Sequence, residues 1–368
     1  MEKREKEREG RSFLTLFRLH VRWLVMLCNL LAILWLWACC AITWIPCDSH
    51  PYLSLVTFTF PAALLLNLLF VILWLMIHYR WAWVPLCGLL SCWGYILDYC
   101  PMNMDDDDEI PASALKVVSW NTKGFGSSEG RVDEAVECLK KMDADIICLQ
   151  ESTTSGWKEN GLLDEMAEMG YEHHNEKGLT LFTRLHIVAT DTIVYDTRSN
   201  GSRWYLLTRD RDTILVVNNH LESNRISAEI KEEYGRTIDR PEYDRVKESG
   251  RSLLPLVATS AHYRGNQTKA LVQFLSEHEG RQVILCGDFN DTPISYAYQS
   301  LARRMDNVFR ESGQGVGLTY DGKGFWVRID HIFYAGGGKA YAAHVDRSVT
   351  TSDHFPIISW VNFDQKQH

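Results

Sequence analysis

Three stretches of this chain carry no charged residue at all: 23–45, 53–77 and 81–97. Nothing else in the sequence restricts the fold so strongly. A helix needs about 20 apolar residues to cross the hydrocarbon of a bilayer. The first two stretches meet that length, and the third falls slightly short. The third is therefore either a further crossing or a re-entrant or interfacial segment. The first is too long for the apolar part of a cleavable signal, and more apolar sequence follows it. The expectation is a membrane anchor over 23–100, built as a bundle of about three transmembrane helices at 23–45, 53–77 and 81–97.

Basic residues set the orientation. Seven Lys/Arg precede the first apolar stretch, and "PCDSHP" after it has none. "HYR" follows the second with one Arg, and "DYCPMNMDDDDE" follows the third with none. Positive charge is retained on the cytoplasmic side, so residues 1–22 are placed in the cytoplasm. Three crossings put the remainder on the outer (periplasmic or extracellular) side of the plasma membrane; two would put it in the cytoplasm. The acidic run at 101–113 reads as a solvated linker, and 114–364 as one folded domain.

The formal net charge is −9. No Lys/Arg-rich run occurs after the linker, which speaks against a strong non-specific nucleic-acid footprint. Of ten cysteines, only Cys138, Cys148 and Cys286 follow residue 100, so there is no disulfide framework. A bridge between Cys47 and Cys100 is one arrangement that an outer location would allow.

From residue 115 the pattern is that of a folded α/β domain. Short β-branched runs such as "LKVVSWN", "DIICLQES", "DTILVVNNHLES" and "QVILCGDFNDTP" alternate with helical spacing in "GRVDEAVECLKKMDA" and "GLLDEMAEMG". "SGRSLLPLVATSAHYRGNQTKALVQFLSEHEG" reads as two helices broken near Pro255. Strands outnumber helices and often adjoin in sequence. The fold expected is a four-layer α/β-β/α sandwich, with two mixed sheets and outer helices.

Six of the apolar runs end on polar groups: Asn121; Gln150 and Glu151; Asn218, Asn219 and His220; Asp288 and Asn290; Asp330 and His331; Asp353 and His354. Any one of these is explained by a turn or a helix cap. Six at strand ends suggest a polar pocket on one rim of the sandwich. Carboxylates and amides are hard oxygen ligands suited to Mg²⁺, Mn²⁺ or Ca²⁺. No zinc-type Cys/His spacing, phosphate-cradling glycine loop or G-x-S-x-G elbow accompanies them. The chemistry this suits is metal-assisted hydrolysis.

"SWN", "LQES", "NNHLES", "GDFNDTP", "RIDHIF" and "SDHFPI", in that order, resemble the endonuclease/exonuclease/phosphatase superfamily over roughly residues 116–360. The resemblance implies that Glu151 is the principal Mg²⁺ ligand, with Asn121 supporting that site and Asp353 assisting. It implies that Asp288 and Asn290 hold and activate the attacking water. His354 would stabilise the transition state and be oriented by Asp330, and His220 would contact phosphate or the leaving group. Asp291 and His331 sit beside motif residues and read as structural, Asp291 capping a helix that begins near Ile294. The anchor combined with such a domain is similar to a group of bacterial membrane-tethered proteins.

The expected function is that of a tethered, divalent-metal-dependent phosphoesterase, a phosphodiesterase acting on a lipid or small phosphoester. A DNA or RNA nuclease is the alternative within the same chemistry, and a non-catalytic binding protein is a third reading. The charged segment after His220, residues 223–252, is the candidate substrate selector, with Arg198 and Arg203 as phosphate contacts. Membrane lipid is the partner expected for the apolar helices; no protein partner is inferred.

Overall fold

The computed structural model describes residues 2–103, 109–125, 130–152, 157, 161–198, 200–209, 212–224, 243–322 and 325–363. Most of the proposed selector segment, residues 225–242, lies outside this set. Two compact units emerge. One comprises Met1–Ile42 and Val56–Gly94, the other Thr43–Leu55 and Tyr95–His368.

The first unit is helical. Its long elements are Glu2–Ile42 and Phe60–His78. Two stretches are long and apolar enough to cross a membrane, Leu16–Ile42 and Pro51–Trp81. The third apolar stretch does not form one long helix. It folds as Trp83–Ser91 and Trp93–Tyr99, with the chain leaving helical geometry at Cys92 (φ −106°, ψ 14°). The expected three continuous helices are therefore two, with a broken third.

This unit buries two asparagines among apolar side chains and leaves many leucines exposed. Asn67 is fully buried and donates through Nδ2 to the Ala32 carbonyl at 2.9 Å. Trp74 Nε1 donates to buried Asn29 Oδ1 at 3.0 Å. Leu27, Leu31, Leu34, Leu65, Leu69 and Ile72 point outward. In water that arrangement wastes apolar burial. Outward leucines suit a hydrocarbon environment, and Asn67 Nδ2 and Trp74 Nε1 find acceptors on the neighbouring helix.

The second unit holds two six-stranded mixed sheets. One has the order β13 (Lys339–Val345), β14 (Ile357–Asn362), β1 (Leu115–Asn121), β2 (Ile146–Gln150), β4 (Leu179–Thr183), β3 (Glu172–Glu176). The other has the order β5 (His186–Ile193), β6 (Ser202–Arg209), β7 (Asp212–His220), β8 (Gln282–Asp288), β12 (Asp330–Ala335), β9 (Asp306–Asn307). Strands β10 (Tyr320–Gly322) and β11 (Phe325–Val327) pair separately. The strands that matter for the site are β1, β2, β7, β8, β12 and β14. The pairs β1–β2 and β7–β8 are parallel; β8–β12 and β1–β14 are antiparallel.

The four layers explain why these strands are apolar throughout rather than alternating. In β8, Ile284 and Cys286 face the core between the sheets, whereas Val283 and Leu285 face the helical layer. In β2, Ile146 and Cys148 face inward, and Ile147 and Leu149 pack against the opposite helical layer. Burying each such side chain contributes about 1.5–3 kcal/mol.

Two local readings need correction. The long helical region is one continuous helix, Tyr243–Glu277, with Pro255 inside it; tertiary packing of its later turns outweighs the missing proline N–H. The helix after the GDFN motif begins at Tyr296, and its cap is Ser295, whose hydroxyl accepts from Tyr298 N at 3.1 Å. Asp291 therefore does not cap it.

Segments on either side of the first unit belong to the second. Residues 43–55, which connect the two long apolar helices, and residues 95–100 both pack as part of the sandwich unit. Asp98 is buried there. It accepts from Arg310 Nη1 at 2.7 Å and Gln299 Nε2 at 2.8 Å, while the Asp98 carbonyl accepts from buried Arg328. Cys47 and Cys100 are both free thiols.

Candidate active site

Parallel pairing of β1 with β2, and of β7 with β8, brings four carboxy-terminal strand ends to one rim. Asn121 pairs with Gln150, and His220 with Asp288. Antiparallel β12 starts on the same rim, since Asp330 pairs with Asp288. The rim is tied together beneath its surface. Gln150 Nε2 donates to Asn218 Oδ1 at 2.7 Å, and Asn218 Nδ2 donates to the Leu149 and Thr180 carbonyls at 3.0 Å each. Both side chains are fully buried, so Gln150 and Asn218 join the sheets rather than line the site.

Asp288 is at the centre. Asn121 Nδ2 donates to Asp288 Oδ2 at 3.0 Å and to Glu151 Oε1 at 3.2 Å, bridging the two carboxylates. Asn290 Nδ2 donates to Asp288 Oδ2 at 3.2 Å and the Leu221 carbonyl at 3.0 Å. His220 Nε2 lies 3.6 Å from both Glu151 and Asp288. Burial and neighbouring Asp330 raise the Asp288 carboxyl, partly offset by His354 and His220. A raised carboxylate is a better proton acceptor.

His354 faces Asp288 from the other side. Its Nδ1 is 2.9 Å from Asp330 Oδ2, and its Nε2 is 3.9 Å from Asp288 Oδ2. Burial disfavours the imidazolium, but Asp330 and Asp288 more than offset that, and the group is pushed up to about 9. Tyr320 packs on the ring with centroids 4.8 Å apart, and Trp120 Nε1 donates to the His354 carbonyl at 3.0 Å.

Two site residues sit in strained backbone. Glu151 and Asn290 each have φ of 50°, a left-handed conformation uncommon for residues other than glycine. Such strain tends to collect at functional sites.

The remaining candidates are placed as follows. Asp353 pairs with Lys123 Nζ at 2.7 Å. Arg203 is 6% exposed and engaged by Glu176, Thr190 and Thr192, so its guanidinium is committed within the protein. The Arg198 guanidinium lies over the Tyr263 ring at 4.6 Å. His331 is buried and contacts the Asp291 carbonyl through Nε2 at 3.2 Å. The sequence reading missed Asn200, whose Nδ2 contacts both His220 Nε2 at 3.0 Å and the Leu221 carbonyl at 2.7 Å. It also missed Tyr320 and Lys123. None lies in a run that ends on a cluster of polar residues, so strand-end reasoning had no purchase on them.

The donor set fits a hard divalent cation. The Glu151 and Asp288 carboxylates, bridged through Asn121 Nδ2, supply oxygen ligands there, beside an Asp288–Asp330–His354 cluster whose polar atoms lie within 4.8 Å of one another. Three carboxylates there face two histidines, and buried Asp330 Oδ1 has no hydrogen-bond partner among the described residues. A cation offsets that excess of negative charge with oxygen ligands of the right type.

The model of the Endonuclease/Exonuclease/phosphatase family matches residues 118–354, which includes every strand end described above. The chain belongs to this family. Family members are phosphoester hydrolases that use a divalent metal. Residues 22–99 match a second model, described as a domain of unknown function (DUF8431). Among solved structures, truncated Caenorhabditis elegans TDP2 is 16% identical, with a TM-score of 0.46, covering 69% of this chain and 99% of that one. The human Nocturnin catalytic domain with bound sulfate is 17% identical, with a TM-score of 0.48, covering 70% and 97%. An endonuclease/exonuclease/phosphatase from Bacteroides vulgatus is 15% identical, with a TM-score of 0.46, covering 68% and 99%. No curated protein matches the chain.

Proposed function

We propose that this protein is a membrane-tethered, divalent-metal-dependent phosphodiesterase that hydrolyses a lipid or small phosphoester by in-line attack of water. The observation that carries the reading is the opposition of Asp288 and His354 across one small space. Asp288 Oδ2 and His354 Nε2 are 3.9 Å apart, one a buried carboxylate and the other an imidazole pushed up to about 9. Such a pair supplies a proton acceptor for water and a cationic donor for a phosphoryl oxygen.

Each residue has a role in this scheme. Asp288 takes the proton from water, and Asn290 fixes that carboxylate and the neighbouring Leu221 carbonyl. His354 donates Nε2–H to the phosphoryl oxygen, and Asp330 holds its ring through Nδ1. His220 faces the leaving group, with its ring held by Asn200. Glu151 and Asn121 would hold the metal (Mg²⁺, with Mn²⁺ as a substitute), and Asp353 steadies Lys123 at the rim. When bound, the metal neutralises charge on the phosphate.

The reading includes a compartment, outside the plasma membrane, and the connectivity supports it. Residues 43–55 and 95–100 both pack with the sandwich unit, which supports one membrane face for the connector, the exit from the third apolar stretch and the catalytic domain. The basic N-terminus then lies opposite, in the cytoplasm. On this reading the catalytic domain lies outside the plasma membrane, and its boundary is earlier than residue 114.

Purified full-length protein is assayed on bis-p-nitrophenyl phosphate, phospholipid vesicles and plasmid DNA, with Mg²⁺ and with EDTA. Ion-dependent release from the ester and vesicles supports the reading. Rapid plasmid nicking with no release from vesicles replaces it with a nuclease. Protease accessibility of the catalytic domain on intact cells tests the side.

A further inference from the structure

Resting on the phosphoesterase reading, we propose that Arg264 is a positioning residue for the site, and that the Cys47–Asp48 turn of the membrane connector is the strap that seats it.

Arg264 lies on the Tyr243–Glu277 helix and is fully buried. Its Nε donates to Asp291 Oδ2 at 3.2 Å, and its Nη1 donates to the Glu222 carbonyl and Asn224 Oδ1 at 2.9 Å each. Asp291 follows Asn290 directly, and Glu222 is two residues past His220. One guanidinium therefore ties together the two turns that carry His220, Asp288 and Asn290. One helical turn away, Gln267 Oε1 accepts from Glu222 N at 2.8 Å, doubling the tie. Both turns also meet directly, because Leu221 N donates to the Asp288 carbonyl at 2.9 Å.

The connector covers this point from outside. His262 Nδ1 contacts the Asp48 carbonyl at 2.6 Å, and Lys269 Nζ pairs with the Asp48 carboxylate. Between those residues, Gly265 leaves room for the connector backbone. A Cβ there would lie 2.4 Å from Asp48 N. Cys47 is 2% exposed, and its thiol is pushed up to about 12, chiefly by burial and then by nearby Asp291. The connector thus excludes water from the Arg264–Asp291 pair. A buried pair is strong only while water is kept out and both partners stay in place. The segment joining the two long apolar helices is in this way part of the support of the catalytic turns.

The test uses full-length protein in detergent and three variants: Asp48→Ala, Gly265→Val and Arg264→Lys. Amide hydrogen exchange is read over 220–224 and 288–292, with β1 and β14 as internal controls, alongside kcat and KM on bis-p-nitrophenyl phosphate. Gly265→Val and Asp48→Ala are expected to raise exchange at both turns by at least tenfold, with the controls unchanged. kcat falls at least fivefold with KM within twofold. Arg264→Lys keeps the charge but loses the fork, and falls between wild type and Gly265→Val. Unchanged exchange at the turns in Gly265→Val and Asp48→Ala overturns the strap. A rise equally large in β1 and β14 also overturns it, because the effect is then general loosening. Wild type that hydrolyses no phosphoester defeats the functional reading, and the exchange data still decide the strap.

Discussion

His354 Nδ1 and Asp330 Oδ2 are 2.9 Å apart with both residues buried, and they form the ion-pair half of the site. The other carboxylate oxygen of this aspartate, Oδ1, faces no donor among the described residues. His354 is thus held in one orientation, with Nε2 directed to the space in front of Asp288.

That relationship fixes a pH dependence. Burial lowers the imidazole, and Asp330 and Asp288 raise it further than burial lowers it, to about 9. The folded value exceeds the ordinary one, so the imidazolium and its stabilising contribution are full below about 6.5 and are lost as pH rises through about 9. Activity that needs the imidazolium declines on the same alkaline limb. Asp330→Asn removes the closest charge and is expected to move that limb down by about 1–3 pH units. A pH–rate profile of wild type and variant checks this.

Asn121 Nδ2 bridges Glu151 and Asp288, so its loss frees the carboxylate assigned to the metal. Asn121→Ala is expected to raise the Mg²⁺ concentration for half-maximal activity about 10- to 100-fold. Titration of activity against Mg²⁺, with calorimetry of ion binding, measures it.

Gly287, between Cys286 and Asp288, has φ of +141°, and a Cβ there would lie 1.7 Å from the Asn219 carbonyl oxygen. Neither β7 nor β8 can yield without separating the parallel pair that carries His220 and Asp288. Gly287→Ala is expected to cost about 3 kcal/mol or more, read from the denaturant midpoint.

Asp98 lies outside the 114–364 domain assigned from sequence, yet it pairs with Arg310 and contacts Gln299 inside the sandwich unit. Arg310 is partly exposed and can turn to water, so the main cost is the buried Gln299 donor left without its acceptor, about 1–3 kcal/mol. Asp98→Ala is expected to lower stability by about that amount, measured by chemical denaturation. A fragment starting at residue 110 is expected to melt below one that also retains residues 95–109.

Strand ends were readable because chemistry there contradicts burial: an apolar run that stops on Asp288 or Glu151 is visible without coordinates. Strands that outnumber helices and adjoin in sequence pointed to the sandwich, and the two-faced burial of β2 and β8 agrees with it. The third apolar stretch was less legible, since length and apolarity do not reveal a break at Cys92. Pro255 misled in the opposite direction, because packing along the Tyr243–Glu277 helix overrode a local breaker. Asn200, Tyr320 and Arg264 reach the site from distant segments, joined to it only by tertiary contacts. The docking of Asp48 on Gly265 is of the same kind, and nothing within "PCDSHP" announces it.

The most direct measurement of the central claim is Mg²⁺-dependent hydrolysis of bis-p-nitrophenyl phosphate by full-length wild type, Glu151→Ala and His354→Ala. Folding of each is verified by circular dichroism and thermal melting. Wild type should turn over with Mg²⁺ and stop with EDTA, and both variants should lose at least about 100-fold in kcat/KM while remaining folded. Wild-type hydrolysis that persists in EDTA, or folded variants with undiminished activity, would contradict the account.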